Sequence, residues 1–363
     1  MDLLAITLNK PTGLWPSIVF GMEGSVKNYA LALIIVTVLI KLIMVPFDFI
    51  NKYSSKKSSR KQAEMKPELD KVNAKYANDK NLLNQKTMEV YKSHNYNVMG
   101  TCVGMLVYLV FTMVVFWTLF GALNKISYYK IGDQFLQVRS EYYAAYDIDV
   151  NNLAENKTAL DEYKAVISGL NEEQLAERKS SAEANSNKKY QDTKVSFLWI
   201  DNIWLADSTV NPVMKYDDFI KKSGISSKDI SAEEYNMIMS PIKAGERKYN
   251  GYFVLAILAA GLNYLSMQVN TWISRAKAKK QGIDPNLMAN AGSNKLMSII
   301  MPLIMGVFTL FYNAAFGLYI VAGALIALIT SPLVTMFVDM LEVEAIKKEQ
   351  NKHVAIYDRK RRR

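Results

Sequence analysis

The chain has very few of the residues from which redox and metal sites are built. Its 363 residues include one cysteine, Cys102, and two histidines, His94 and His353. A single cysteine cannot form an internal disulfide, and so few ligands are too few for a zinc, haem or iron–sulfur centre. Cys102 lies in an apolar run, where a cysteine packs as a small hydrophobic residue. We therefore expect no metal ion and no cofactor.

Motifs of enzymatic catalysis are also missing. The sequence contains no G-x-x-x-x-G-K-[ST] phosphate-binding loop and no G-x-S-x-G nucleophile turn. Gly100 and Gly104 form a GxxxG pattern, but at the start of an apolar run this pattern most often indicates close helix packing. The sequence therefore predicts a protein that is not an enzyme and has no small-molecule substrate.

Long apolar runs are what the sequence has in abundance, since 50% of its residues are hydrophobic. A helix that spans a bilayer needs ~20 mostly apolar residues. We predict an all-α integral membrane protein with five transmembrane helices, the last two joined by a tight turn. The predicted spans are residues 29–50, 99–122, 251–270, 296–313 and 316–338.

The first 28 residues do not fit a secretory signal peptide. They have no basic region at their start, and Pro11 and Pro16 interrupt their apolar stretch. We interpret residues 1–28 as a retained segment that lies along the membrane interface from Leu14 to Phe20.

Basic residues in the connections predict the orientation. Residues 51–98 hold 11 basic and 5 acidic residues, residues 272–295 hold 5 and 1, and residues 339–363 hold 8 and 5. Short basic connections remain in the cytoplasm. We therefore predict an outside N-terminus, a cytoplasmic C-terminus, a basic cytoplasmic loop at 271–295, a basic cytoplasmic tail at 339–363 and a long, partly helical outer loop at 123–250.

Two connections have a pattern of their own. Residues 51–98 predict a cytoplasmic helical hairpin, because apolar residues recur at helical spacing before the break "YANDKN". This hairpin is either a mobile arm that receives a partner or a membrane-surface element with a solvated face. The apolar stripe of the hairpin consists of Met65, Leu69, Val72 and Tyr76.

In the predicted outer loop, Trp199 and Trp204 are suited to the headgroup layer of the membrane.

Lys41 is the unusual residue, because it lies inside the first predicted span. A charge at mid-membrane costs roughly 2.5–3.5 kcal/mol on insertion scales. Thr37 precedes it by one turn, and the third span carries a polar stripe of Asn263, Ser266 and Asn270. Polar faces on two spans predict a shared, hydrated interior in which Lys41 attracts acidic or polar segments of a client. The alternative is a lysine that only snorkels to the inner surface.

Three functions remain open on these residues. The first is a protein that receives polar client segments in the hydrated interior. The second is a secondary transporter or channel that uses Lys41, although no inverted repeat or broken helix is visible across the spans. The third is a membrane assembly factor that clamps subunits without inserting them.

Four stretches carry a resemblance to a known family. "TVLIKLIMVPFDFINKYSSKKSSRKQAEMKPELDKVNAKY", "SHNYNVMGTCVGML", "FLWI" and "MPLIMGVFTLFYNAAFGLY" occur in family order. They resemble the YidC family of membrane protein insertases, which is related to the mitochondrial oxidase-assembly and chloroplast Albino proteins. The chain looks like a divergent member of Gram-positive type in a bacterial plasma membrane. Residues 130–195 fall outside the resemblance and look like an insertion of this lineage.

The resemblance implies a hydrophilic groove that is open to the cytoplasm and to lipid. A groove arginine on the first span engages polar parts of the client, and Lys41 stands in its place here. The third and fifth spans form a hydrophobic slide along which the client helix leaves laterally into lipid. On this chain the slide comprises Leu255, Leu258, Leu262, Leu318, Ile320 and Leu325.

The sequence departs from the family pattern at several of these positions. Lysine keeps the positive charge but lacks the planar fork with which arginine holds a carboxylate. Ser266 stands near a groove glutamine, and Ile320 stands where tryptophan is common. These differences suggest a paralogue with a narrower client set or with less dependence on groove charge.

The expected partners follow from this interpretation. They are nascent membrane proteins, with the ribosome, the Sec translocon and anionic lipids as further candidates. The basic end of the tail can bind ribosomal RNA through its charge or attract anionic lipid at about 1 kcal/mol per basic residue. Its basic residues are Arg359, Lys360, Arg361, Arg362 and Arg363.

Overall fold

The structure is a computed structural model that describes residues 6–153, 157–210, 213–245, 249–280 and 297–361. Within these ranges the chain is helical and has no β-strand, only isolated β-bridges. The predicted all-α class is therefore confirmed for the described residues. The helices are α1 Leu14–Val26, α2 Tyr29–Tyr76, α3 Lys80–Ser93, α4 Val98–Ala144, α5 Ala159–Ser168, α6 Glu172–Thr193, α7 Tyr216–Lys222, α8 Ala232–Gly245, α9 Val254–Lys280, α10 Met297–Phe311 and α11 Ala314–Arg361.

Four of these helices are long and apolar enough to cross a membrane. The fourth predicted span corresponds to α10, whose 15 described residues extend about 22 Å at 1.5 Å per residue. This is less than the ~30 Å of a bilayer core, so α10 as a span, and with it the total of five spans, stays a prediction. The four candidates are Tyr29–Tyr76 in α2, Leu106–Ala144 in α4, Val254–Lys277 in α9 and Ala314–Leu341 in α11.

Several helices continue well beyond the predicted spans. Helix α2 has 48 residues and runs through Pro46 and Pro67 to Tyr76. Residues 51–76 of α2 include seven lysines, two glutamates and two alanines, which are good helix formers, and no glycine. The side chain of Asp79 then caps α3 by accepting hydrogen bonds from two backbone N–H groups. The hairpin predicted at 51–98 thus consists of the end of α2, a short turn and α3.

The chain divides into two compact units, and five helices contribute residues to both, namely α2, α4, α9, α10 and α11. We call them unit 1 and unit 2 and describe each by itself. Unit 1 comprises Met1–Thr37, Thr118–Gly261 and Met301–Ala322, and unit 2 comprises Val38–Trp117, Leu262–Ile300 and Gly323–Arg363.

The centre of unit 1 is an irregular segment that binds to the turn between α10 and α11. The backbone N–H groups of Ala314 and Ala315 donate to the carbonyl groups of Leu205 and Ile203, at 2.7 and 2.9 Å. The fully buried Asn250 supports this segment through its side-chain amide, which donates to three of its carbonyl groups. These bonds satisfy backbone groups that an irregular buried segment would otherwise leave unpaired.

Trp204 belongs to the interior of unit 1. Only 3% of its surface is exposed, and its ring centroid lies 4.6 Å from that of Tyr29. The ring thus packs against protein, and the prediction that Trp204 lies at the depth of the headgroup layer stays a prediction. Trp199 is half-buried.

The N-terminal helix α1 also packs within unit 1. The Nε1–H of Trp15 donates to Thr118 Oγ1 at 3.0 Å, and Glu23 forms an ion pair of 2.7 Å with Lys130. Val19 is buried, whereas Leu14 is 70% exposed. Helix α1 thus has one face against α4 and an exposed apolar residue at its start.

The segment predicted as a lineage insertion, residues 130–195, begins within α4. A buried ion pair, 2.7 Å between Arg139 Nε and Glu234 Oε1, joins this part of α4 to α8. The hydroxyl group of Tyr143 donates to the same carboxylate at 3.0 Å. Capping boxes at Thr158 and Asn171 then start α5 and α6. Local capping thus starts α5 and α6, and the Arg139–Glu234 ion pair joins α4 to α8.

Asp207 caps the start of α9 from a distant part of the chain. Its Oδ2 accepts a hydrogen bond of 3.0 Å from the backbone N–H of Leu255, and the residue is fully buried. A Cβ atom at Gly251 would clash with Asp207 Oδ1, so this close approach requires glycine. Burial raises the pKa of the Asp207 carboxyl group to about 6, against the opposing effect of the N–H groups of Leu255 and Ala256.

This carboxyl group predicts a pH dependence of folding stability. Its pKa is about 6 in the folded chain and near 3.8 when unfolded, so its contribution is full below about pH 4 and is lost as the pH rises through 6. We expect the wild type to lose roughly 2 kcal/mol over this interval relative to Asp207→Asn. Thermal unfolding in detergent between pH 4 and 7.5 would measure the difference, and parallel pH profiles for the two proteins would contradict it.

Candidate functional site

Helix α2 carries a polar line within unit 2. Lys41, Asp48, Lys52 and Lys56 are separated by 7, 4 and 4 positions, which places them on one face of a helix with 3.6 residues per turn. The residues between them on other faces are mostly apolar, and Leu42 and Ile43 are 52% and 68% exposed. One face of α2 is therefore chemically distinct from the rest of its apolar half.

Lys41 is half-buried at the apolar end of this line. In the described part of the chain, no hydrogen bond or ion pair involves its ammonium group. Asp48 is near enough to interact with it electrostatically, but the Asp48 carboxylate is bound by the hydroxyl group of Tyr108 on α4. Lys41 is thus a cation in an apolar stretch that lacks a dedicated counter-ion among the described residues.

Lys52, about 16 Å further along α2 at 1.5 Å per residue, is fully satisfied. Its ammonium group donates to Ser331 O at 2.8 Å, to Ser331 Oγ at 2.6 Å and to Thr335 Oγ1 at 3.0 Å. The side-chain amide of Asn270 on α9 donates to Ser331 Oγ at 2.8 Å, and Thr335 donates to Asn270 Oδ1 at 3.2 Å. These bonds join α2, α9 and α11.

Asp339 extends the same set of contacts by one turn of α11. It is 7% exposed, and its two carboxylate oxygens form ion pairs with Lys56 of α2 and Lys277 of α9. We call the whole set the polar network. It consists of Lys52, Lys56, Asn270, Lys277, Ser331, Thr335 and Asp339.

The other predicted groove residues have different environments. Thr37 lies in unit 1, where it is fully buried and its hydroxyl group donates to Leu33 O at 2.7 Å. Asn263 and Ser266 are half-buried on α9 in unit 2, together with Lys41. Asn270 is part of the polar network and also donates to Ser266 O at 2.9 Å. Unit 2 therefore contains Lys41 and the α9 stripe, while the Thr37 hydroxyl group is used within its own helix.

The predicted slide residues differ in exposure. Leu255, Leu318 and Ile320 are buried within unit 1. Leu258 and Leu262 are half-buried, and Leu325 of unit 2 is 48% exposed. Of the six, Leu325 therefore has the most surface to offer a client helix.

The hairpin stripe is largely covered. Met65 is fully buried, and Leu69, Val72 and Tyr76 are half-buried, unlike the exposed residues between them. The hydroxyl group of Tyr96 contacts Ser58 and Gln62, which joins the end of the hairpin to α2. The stripe is thus the less exposed face of this part of α2.

Of the basic tail, Arg359, Lys360 and Arg361 form the end of α11, and Arg362 and Arg363 lie outside the described residues. No group of three or more potential metal ligands occurs among the residues that the structure describes.

Sequence analysis missed most of the polar network. Ser331, Thr335 and Asp339 lie four residues apart on the last span, a periodic signal equal in strength to the α9 stripe that was recognised. Lys52 was assigned to the hairpin because it follows the apolar run. A search for polar residues at helical spacing in every span would have found the α11 stripe.

Comparison with known proteins identifies the family. The model of the family described as 60Kd inner membrane protein matches residues 21–340 of this chain. A membrane protein insertase YidC of Fusobacterium nucleatum is 42% identical over 100 residues, which are 28% of this chain and 45% of the relative. Relatives of the same name are 38% identical over 98 residues in Geobacter metallireducens and 32% identical over 103 residues in Anaeromyxobacter dehalogenans.

The matched parts of these relatives are limited. The chain spans less than half of the Fusobacterium protein and 17% of each of the other two. No solved structure matches the chain. The family match, by contrast, covers nearly all of the sequence and agrees with the four apolar helices. The chain therefore belongs to the 60Kd inner membrane protein family, the family of the YidC insertases, and is a multi-pass protein of the bacterial plasma membrane.

Proposed function

We propose that the chain is a membrane protein insertase that receives hydrophilic parts of a client beside Lys41. The observation that carries the proposal is a half-buried lysine in an apolar helix, without a hydrogen-bond or ion-pair partner among the described residues. A buried cation is costly unless something pairs with it. An acidic or polar segment of a client would supply that partner transiently.

The proposed topology has five spans, with α10 as the fourth, an outside N-terminus and a cytoplasmic C-terminus. The basic connections support this orientation. It places the hairpin, the loop at 271–295 and the polar network toward the cytoplasm, and the loop at 123–250 outside.

The proposed mechanism is passive. A polar client segment enters a hydrated groove next to Lys41, Asn263 and Ser266, which shortens the apolar distance that it must cross. The client helix then moves laterally along α9 and α11 into lipid. Hydrophobic transfer and the membrane potential, worth about 2.3 kcal/mol per charge per 100 mV, provide the driving free energy.

The polar network supports this mechanism by fixing three helices on the cytoplasmic side of Lys41. Its lysines are neutralised or hydrogen-bonded, so they do not compete with Lys41 for an acidic client segment. Lys41 is then the cation of this face that remains available to a client. Helices held in place by the polar network, with Lys41 as the available cation, suit the transient binding of an acidic segment.

A photocrosslinking amino acid at position 41 tests the proposal directly. During translation of a single-span client, we expect a crosslink from position 41 to the region around the client's translocated segment. Position 43 is the matched control, because Ile43 is two residues away on α2 and 68% exposed. Crosslinks confined to the outer loop would instead favour an assembly factor that clamps subunits, and uptake of a solute by proteoliposomes would favour a transporter.

The proposed partners of the tail are the ribosome and anionic lipid, and the Sec translocon stays a further candidate. Cosedimentation with ribosomes, with and without residues 347–363, at two salt concentrations would decide between the first two.

A further inference from the structure

Unit 1 contains a cavity of about 280 Å³ that the insertase proposal does not use. The second half of α4, the segment that begins at Trp204, helix α7 and the turn between α10 and α11 line it. Its volume is near the lower end of the range of ligand pockets, about 300–1,000 Å³. It can therefore hold part of an amphiphile rather than a whole large ligand.

The cavity has an apolar wall and a polar side. Ile131, Leu205, Val213 and Phe311 contribute apolar surface. The polar lining residues are Asn124, Tyr128, Thr209, Asn313, Lys215, Asp218 and Lys222. This division into apolar and polar surfaces fits an amphiphilic ligand better than a sugar or a nucleotide.

The charged residues of the lining favour an anion. Lys215 is exposed and Lys222 half-buried, and neither ammonium group forms an ion pair or a hydrogen bond with another residue that the structure describes. Asp218 is the single acid among the lining residues that the structure describes. The described lining residues thus have a net charge of +1. Both ammonium groups are free to bind a phosphate.

The position of the cavity indicates the source of the ligand. Its lining includes α4 residues just after the predicted end of the second span at 122, and the turn at 311–313 between the last two spans. In the proposed topology both lie at the outer surface of the bilayer. This step of the argument rests on the proposed function for its orientation.

We propose that this cavity binds an anionic phospholipid of the outer leaflet. The phosphate lies against Lys215 and Lys222, and the adjoining glycerol and chain carbons lie against the apolar wall. The lipid would bridge α7 and the turn between α10 and α11, and so would attach the outer loop to the membrane surface next to the last two spans.

The test compares lipid binding by the full chain and two lysine variants. Purified protein is titrated with palmitoyl-oleoyl-phosphatidylglycerol or with the phosphatidylcholine of the same chains, and bound lipid is counted by native mass spectrometry. Two lysines near an anionic surface together account for roughly 30-fold in affinity, so Lys215→Gln with Lys222→Gln should weaken phosphatidylglycerol binding about 30-fold. Phosphatidylcholine binding should change little.

The matched control is Lys221→Gln, because Lys221 is exposed on the same helix and is not part of the lining. Its phosphatidylglycerol binding should equal that of the wild type. An equal loss in this control would mean diffuse surface attraction and would overturn the proposal. Glycerol phosphate should not compete at the concentrations at which the lipid saturates, and full competition would point to a soluble anion instead.

A second variant fills the cavity. Val210 lines it and is 53% exposed, so Val210→Trp should block the space without disturbing the buried interior. Leu198→Trp, at a 75% exposed position outside the lining, adds the same ring elsewhere. We expect binding to be lost in the first and kept in the second. Loss with Val210→Trp but not with the lysine variants would indicate an apolar ligand and contradict the phospholipid assignment. Because lipid counting does not measure insertion, its failure leaves the insertase proposal standing.

Discussion

Lys41→Met should reduce insertion of clients with acidic translocated segments about tenfold, while Lys41→Arg should keep most of the activity. Methionine retains the length and the apolar stem but removes the charge. Tenfold corresponds to about 1.4 kcal/mol, less than the roughly 4 kcal/mol of two unit charges 4 Å apart at an effective dielectric constant of 20. The measurement is the protease-protected fraction of a client synthesised in the presence of proteoliposomes.

Two controls make this result specific. Lys57→Met removes an exposed lysine from the same helix and should leave insertion unchanged. A matched pair of clients, with and without acidic residues in the translocated segment, should show the larger defect for the acidic client. Equal and full activity of Lys41→Met and Lys41→Arg would mean that Lys41 only snorkels, and the insertase proposal would lose its central residue.

Asp339→Asn should cause the largest loss of stability in unit 2. The amide leaves Lys56 and Lys277 without their carboxylate at a site that is 7% exposed. Breaking a buried ion pair from one side costs about 3–5 kcal/mol, and the partial exposure of both lysines reduces this to roughly 2–3 kcal/mol. Thermal unfolding in detergent should shift downward by about 4–10 °C.

The charges can be removed together to separate pairing from packing. Replacing Lys56 and Lys277 by methionine and Asp339 by leucine leaves no unpaired charge, and such replacements are often neutral or stabilising. We expect this triple variant to unfold close to the wild-type temperature. Asp70→Asn, at an exposed position of α2, is the surface control. An Asp339→Asn protein as stable as this control would show that the polar network does not join the three helices.

The extent of the helices shows where sequence reasoning succeeds and where it stops. Apolar length predicts the membrane-crossing part of α2, because each residue contributes to membrane transfer by its own side chain. The same criterion placed the end of the second span at Ala122, whereas α4 continues to Ala144. The residues that follow the apolar run still favour a helix, so a helix extends beyond the span that it contains.

Individual side chains were harder to predict than helices. Asn270 was assigned to the hydrated groove, and the structure pairs it with Ser331. Trp204 is of a residue type common at membrane interfaces, but its ring packs against that of Tyr29 inside unit 1. Leu255 was assigned to the slide, yet it is buried. In each case the environment comes from a residue far away in the chain, which local spacing cannot specify.

Residue types and their order thus determined that this chain is helical, crosses a membrane and belongs to its family, because hydrophobicity and helix propensity act locally and add along the chain. Only the tertiary structure decided which polar groups within the helices are satisfied. Lys52 and Lys41 are alike in sequence terms, on one face of one helix. Ser331 and Thr335 bind Lys52, whereas no described residue binds Lys41. The difference arises because pairing depends on which helices pack beside each turn of α2.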